Sequence, residues 1–402
     1  MNYTFKIAKR ITFESKRKFS KLIVRIAIVG IALGIMIMLL SIGIIRGFKQ
    51  SIEHKLVSYS GDFQISGFQN DASANSYIQQ QAAFEFDAKK DPNVDVVIAV
   101  ANKICILQHK NRIEPLMIKG LSDMNSYDFA VENMIKGRRV RTDQEIVISN
   151  YLAAKHSIDT GERLLFYFTD QLIKTRKYTV VGIYESSIDN IDKHIVLSNL
   201  GLVRSVNDWS QNQLAYYQIH FKSNTSALEK EKSLERFDAL LPLDLKMQSN
   251  EELYLDIYEW ISLLDVNAQV IIILMLIVSG INMISAILVL ILERISFIGI
   301  LKTMGSSNRQ IRRIFYWNAS YLMLLGLSFG NFLALIIYFI QDRYKLIELD
   351  PESYYMKYVS IHLELKDFIL LNLGTIIITL GFVLIASLLI NKIKPLRAIR
   401  FN

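Results

Sequence analysis

Glu293, Arg294, Ile298, Gly299, Leu301, Lys302 and Gly305 fall in one short stretch and form the most specific pattern in this sequence. Their chemistry is recognition rather than bond breaking. Two apolar side chains at helical spacing, flanked by an acid and two bases, describe a short helix that docks on a protein surface. The apolar groups would supply affinity and the charges orientation. Gly305 reads as the left-handed residue that ends this helix, and Ser306 or Ser307 as the cap of the next. Without a partner, the same stretch is a basic turn between two apolar segments.

Catalytic chemistries lack their residues. No G-x-x-x-x-G-K-[ST] occurs, so the chain has no phosphate-cradling loop, and Gly299 and Gly305 have neither the spacing nor the lysine for one. G-x-G-x-x-G and G-x-S-x-G are also missing. His54, His109, His156, His194, His220 and His362 are scattered and make no H-x-x-x-H pair, so a metal site lacks its usual ligands. Asp189 and Asp192 read as residues of a solvated loop. Cys105 stands alone, which excludes an intramolecular disulfide and suggests a small buried hydrophobe. Neither an enzyme nor a resident cofactor or metal is expected.

The elements that must position the docking stretch are apolar. The 402 residues are 51% hydrophobic and 21% charged, with mean hydropathy +0.25. These values suit a mixture of membrane spans and a water-facing domain. Crossing about 30 Å of hydrocarbon takes about 20 helical residues. Residues 22–45, 268–292, 317–340 and 368–390 qualify. The first reads as a signal anchor, since its basic lead is long and no small-x-small site closes it.

Charge sets the expected orientation. Residues 1–25 hold eight Lys and Arg, 293–316 five, and 391–402 four, against Glu14 and Glu293 as the sole acids there. The domain 46–267 has 25 bases and 30 acids, and the loop 341–367 has four and six. Both termini and the docking stretch are therefore expected in the cytoplasm, with 46–267 outside. The basic balance belongs to the cytoplasmic face. No basic stripe with interleaved aromatics points to nucleic acid.

Within the spans, Gly30 with Gly34 and Gly326 with Gly330 are small-xxx-small pairs that allow close helix approach. Asn282 and Asn331 lie mid-span and call for protein partners. Residues 3–21 read as an amphipathic elbow in the headgroup layer. The first span is expected to continue as a helix to Gly61, with a strand over 62–66, and a polar-apolar helix over 251–266 to lead into the second. The insert itself reads as α+β. Strands are expected at 94–100, 104–108, 113–119, 145–148, 163–169, 178–184, 194–197 and 214–221, and helices at 78–88, 151–156, 200–206 and 226–240. Its length suggests two subdomains, one from both ends of the insert and one from about 120–215.

The run from Glu293-Arg294 through Ile298-Gly299, Leu301-Lys302 and Gly305 to Ile311 resembles the signature of FtsX-like permeases, whose matching segment is the coupling helix that contacts an ABC ATPase. Ser296 or Phe297 stands where that signature usually has an acid. Gly34 with Gly47-Phe48, the block Gly61-Asp62-Phe63, the block Val180-Val181-Gly182-Ile183 with Asp189 and Asp192, and Pro395 to Arg400 are similar to the lipoprotein-releasing (Lol) branch. A chaperone-binding hook is not identifiable. The resemblance implies an α-helical membrane protein with four transmembrane helices and a large α+β periplasmic domain between helices 1 and 2. It implies a FtsX-like permease domain over about 268–395. Mechanotransmission would involve a separate ATPase holding ATP-Mg, a second permease copy or paralogue, a lipoprotein substrate, membrane lipid and a periplasmic chaperone, all in the bacterial inner membrane. Met36, Met38 and Leu40 become candidate acyl-chain contacts. Two rival readings are a MacB-like efflux permease and a cell-division-type regulator that passes ATPase motion to a periplasmic partner.

Overall fold

The computed structural model describes residues 18–68, 76–110, 112–169, 173–350, 354–388 and 390. Residues 3–17 of the elbow expected at 3–21, and the tail motif at 394–400, lie outside the described residues. Two compact units emerge. One comprises 1–49, 260–348 and 358–402, and the other 50–259 with Leu349–Lys357.

The first unit is helical. It contains most of α1 (Lys18–Ser60), α9 (Leu255–Glu293), the short α10 (Ile295–Thr303), α11 (Asn308–Tyr344) and α12 (Leu365–Ser387). Four of these are long and apolar enough to cross a membrane, with best-window mean hydropathies of 2.8, 2.6, 2.1 and 2.5. Ile31, Ile35, Met283, Ile287, Phe315, Leu322 and Val383 are among the buried side chains of a single apolar cluster. The outward faces remain apolar: Ile26, Val29, Leu33, Ile273, Phe332 and Leu370 are exposed, as lipid-facing positions require.

The second unit is an α/β domain. The last turn of α1 ends because Gly61, at φ +80°, turns the chain back, its N–H donating to Val57 O at 2.8 Å. The sheet strands are β1 (Phe63–Gly67), β3 (Val94–His109), β4 (Arg112–Leu121), β5 (Met134–Gly137), β6 (Glu145–Ser149), β7 (Arg163–Thr169), β8 (Ile173–Tyr184), β9 (Ile195–Asn199), β11 (Tyr216–Phe221) and β12 (Leu245–Ser249). They run in the order β12-β1-β11-β3-β4-β9-β6-β8-β5, with β7 pairing β3 and β8. Two short strands, β2 (Ile78–Gln79) and β10 (Gln213–Leu214), pair separately. The pairs β4–β9 and β6–β8 are parallel. Among the described residues, seven helices accompany the strands: α2 (Ala82–Lys90), α3 (Asp128–Glu132), α4 (Asn150–His156), α5 (Asp189–His194), α6 (Leu200–Asn207), α7 (Ala227–Asp238) and α8 (Asn250–Leu253).

Three expectations change here. The two strands expected at 94–100 and 104–108 are one strand of 16 residues. It pairs β11 through Val94–Val100 and β7 through Ile106–Gln108, so hydrogen bonding runs unbroken through both expected subdomains. Ile78 begins a strand rather than a helix. Asp189 and Asp192 are helical, not solvated loop. The Asp192 carboxylate accepts from the Ser186 N–H at 3.1 Å, the Ser186 hydroxyl at 2.7 Å and the Ser187 N–H at 3.0 Å. Burial nevertheless raises its pKa above the ordinary aspartate value.

Cys105 is fully buried in the domain core, and desolvation pushes its thiol up to about 12. Lys119 is buried too. Its ammonium donates to Tyr59 O at 2.5 Å and Tyr127 Oη at 3.1 Å and sits 3.8 Å from the centroid of the Tyr59 ring. Tyr127 Oη and Gln218 Nε2 donate to the same Tyr59 carbonyl, at 2.6 and 3.2 Å. Three donors thus meet one of the orphan carbonyls expected at a helix end, that of Tyr59.

Candidate functional site

α10 lies between the second and third long helices and ends as its sequence dictates. Gly305 adopts φ +88°. Its N–H donates to Lys302 O at 3.1 Å, and the Ser306 N–H to Leu301 O at 2.9 Å; this is a Schellman pair. Ser307 then caps α11 in a reciprocal capping box with Gln310.

The two faces of α10 differ from the sequence expectation. Ile298 and Gly299 are buried, and Ile298 belongs to the apolar cluster of its unit, with Leu301 packed against it. Ile298 therefore packs within its own unit and anchors α10 there. Lys302 also turns inward, donating to Ile390 O at 3.0 Å, and partial burial lowers its pKa from the ordinary lysine value. Glu293 ends α9, Arg294 is the N-cap of α10, and both are half-exposed. The outward stripe is Ser296, Ile300, Thr303 and Met304, spaced i, i+4, i+7, i+8. Ile300 is 51% exposed and Met304 77%.

The glycine pairs mark close crossings. A methyl group at Gly30 would lie 2.7 Å from Asn282 Nδ2, and one at Gly34 2.7 Å from Ser279 Oγ, so α1 meets α9 there. A methyl at Gly326 would meet Ile31 at 2.8 Å, and one at Gly330 would meet Ile35 at 2.0 Å and Ala32 O at 2.5 Å, so α11 meets α1. Asn331 and Asn372 exchange amide hydrogen bonds of 2.9 and 3.1 Å between α11 and α12.

A further crossing had no sequence signal beyond its spacing. Residues 360–363 pass over α1 at Gly43 and Gly47. A methyl at Gly47 would lie 2.4 Å from Ser360 O, and the His362 N–H donates to Gly43 O at 2.8 Å. Beside it, the Arg46 guanidinium makes a two-pronged ion pair with Asp367, whose side chain is 7% exposed.

Met38 is fully buried in the helical cluster, while Met36 and Leu40 are half-buried. The Met38 side chain thus packs against neighbouring helices, and those of Met36 and Leu40 are the more accessible of the three.

Four apolar helices with a short helix between the second and third, and an α/β domain inserted after the first, are the layout of an integral membrane permease. Residues 269–395 match the family described as FtsX-like permease C-terminal, and residues 26–236, just over half the chain, match the MacB-like periplasmic core domain. The chain belongs to this family of ABC transporter permease subunits. Among its relatives, the lipoprotein-releasing system transmembrane protein LolC of Buchnera aphidicola subsp. Schizaphis graminum is 22% identical, over 90% of this chain and 89% of its own. LolC of Xylella fastidiosa strain 9a5c is 18% identical over 97% of each. LolE of Haemophilus influenzae is 18% identical over 95% of each. The periplasmic region of MacB from Actinobacillus actinomycetemcomitans aligns with 49% of this chain and 92% of its own, at TM-score 0.36 and 15% identity.

Proposed function

We propose that this chain is the permease subunit of an ABC transporter of the mechanotransmission type that releases lipoproteins from the inner membrane for transfer to the outer membrane. The support is near full-length similarity to proteins named LolC and LolE. The observation that carries the mechanical part is the outward stripe of α10, an apolar strip on a helix whose opposite face is fixed in the core.

In this reading both termini and α10 are cytoplasmic, and the α/β domain is periplasmic. A separate ATPase binds ATP-Mg and seats Ile300 and Met304 in a groove, with Glu293 and Arg294 at its rim. Nucleotide-driven closure pulls on α10, and the inward anchors Ile298 and Lys302 pass the pull to the helices around them. A second permease copy or paralogue completes the complex. Acyl chains contact Met36 and Leu40, and a periplasmic chaperone receives the cargo.

The test separates the two faces of α10. Ile300→Asp with Met304→Asp should leave the protein folded in detergent, weaken ATPase co-purification and abolish lipoprotein-stimulated hydrolysis. Full ATPase binding by this double variant would remove α10 as the docking element. Ile298→Asp should instead destabilise the protein itself, because it buries a charge.

A further inference from the structure

We propose that Lys55 is a positioning residue that fastens an arm of the loop between α11 and α12 to the α/β domain. Leu349–Lys357 clusters with that domain, although the chain on both sides of it belongs to the helical unit. Of the arm, Leu349, Asp350 and residues 354–357 are described. Its base is closed by the Leu349 N–H donating to Lys357 O at 2.9 Å.

Lys55 lies on the part of α1 that belongs to the domain. Its ammonium donates to two backbone carbonyls, Ser186 O at 2.9 Å and Tyr355 O at 2.9 Å. One carbonyl belongs to the turn between β8 and α5, the other to the arm. One side chain therefore joins three chain segments far apart in sequence. A lysine suits this role: three donors on a flexible stem can serve two carbonyls at once.

Both host turns are built to present those carbonyls. Ser187 and Tyr355 have φ of 60° and 57°, a conformation unfavourable for side chains other than glycine. Asp192 holds the first turn through the Ser186 and Ser187 N–H groups. A second fastener lies alongside, the Lys357 ammonium 2.8 Å from Glu185 Oε2. Lys357 is exposed enough for solvent to weaken that pair, whereas Lys55 is half-buried. Because the arm is covalently continuous with α11 and α12, a domain displacement held at Lys55 would be passed to the third and fourth spans as well as to the first two. This consequence rests on the transport reading; the fastening does not.

The test uses the full chain reconstituted with its ATPase subunit in lipid, with Cys105→Ser, Glu185→Cys and Lys357→Cys. The second fastener is then gone, and a short bis-thiol reagent reports how closely the arm is held. Lys55→Met should slow cross-linking at least about fivefold through the lost effective concentration, while Lys55→Arg should stay within about twofold. Thermal unfolding verifies folding, and Lys55→Gln gives the same reading should Lys55→Met not fold. Cross-linking by a folded Lys55→Met or Lys55→Gln protein at the unsubstituted rate would overturn the proposal. The cross-link does not depend on cargo, so a failed release assay counts against lipoprotein transport and not against Lys55.

Discussion

Arg46 closes two guanidinium nitrogens on the Asp367 carboxylate, joining the far part of α1 to the first turn of α12. The same carboxylate accepts the Glu364 N–H at 3.0 Å, so it also caps its own helix. Asp367→Ala would strand the guanidinium. The expected loss is about 2–3 kcal/mol, below the value for a fully buried pair because the Arg46 side chain is a quarter exposed. A lower thermal midpoint in detergent, partly restored by exchanging the two residues, is the expected result. An unchanged midpoint for Asp367→Ala would show the pair to be idle.

Glycines of the spans should divide into two groups. At Gly330 an added methyl meets Ile35 Cγ2 at 2.0 Å, whereas at Gly374 it meets nothing within 4 Å. Gly330→Ala should cost about 1–3 kcal/mol as an overpacked contact. Gly374→Ala should be neutral or slightly stabilising, because alanine is the better helix former. Equal midpoints for the two variants would refute the close crossing of α1 and α11.

Gly305 makes a cleaner backbone test. Its added methyl would sit in open space, so any penalty comes from φ +88°. Gly305→Val should cost about 1–2 kcal/mol and shift the end of α10, while Gly305→Asn should be milder. Both effects would appear in ATPase affinity before they appear in expression level. Equal affinity for valine and glycine would exclude the left-handed cap as a requirement.

Acid should weaken the α/β domain through His220. Burial, with a contribution from Lys119, pushes its pKa down to about 4, against the opposing pull of Asp62. The unfolded chain takes up this proton near pH 6.5, and the folded one does so only near 4. The stabilisation is therefore complete above pH 6.5 and lost as pH falls toward 4. Denaturant unfolding of the full chain should show about 2 kcal/mol less stability at pH 5 than at 7.5, from that shift alone. His220→Asn should remove this part of the pH dependence. An identical pH slope in the variant would assign acid sensitivity to other groups.

What could be read from sequence follows from how local each signal is. Gly305 and the serine cap need only neighbouring residues, and the long apolar helices need only composition. The orientation of α10 was not readable. Ile295, Phe297, Ile298, Ile300 and Leu301 put apolar groups all round a nine-residue helix, and only the surrounding helices choose Ile298 as the inward one. Two strands are expected at 94–100 and 104–108, but Lys103 between them is buried and the strand continues because β4 pairs along it. Asp192 reads as a solvated residue in sequence, because the turn that aims three donors at its carboxylate is set by the fold. Lys55 carried no sequence signal, because both of its acceptors are backbone carbonyls from distant turns.

The amide pair of Asn331 and Asn372 bears on how the protein is made. Without the other, Asn331 would carry an unpaired amide into hydrocarbon and Asn372 would keep only its donation to Phe368 O at 2.6 Å, at a cost that opposes insertion of each span. The two are 41 residues apart and lie on consecutive long helices. If α11 and α12 enter the bilayer together as a hairpin, each amide brings its partner with it, and the exchange is worth about 1–2 kcal/mol. Biogenesis of this half of the permease thus favours paired entry of the last two spans over sequential entry, and a ribosome stalled between them would leave Asn331 exposed to lipid.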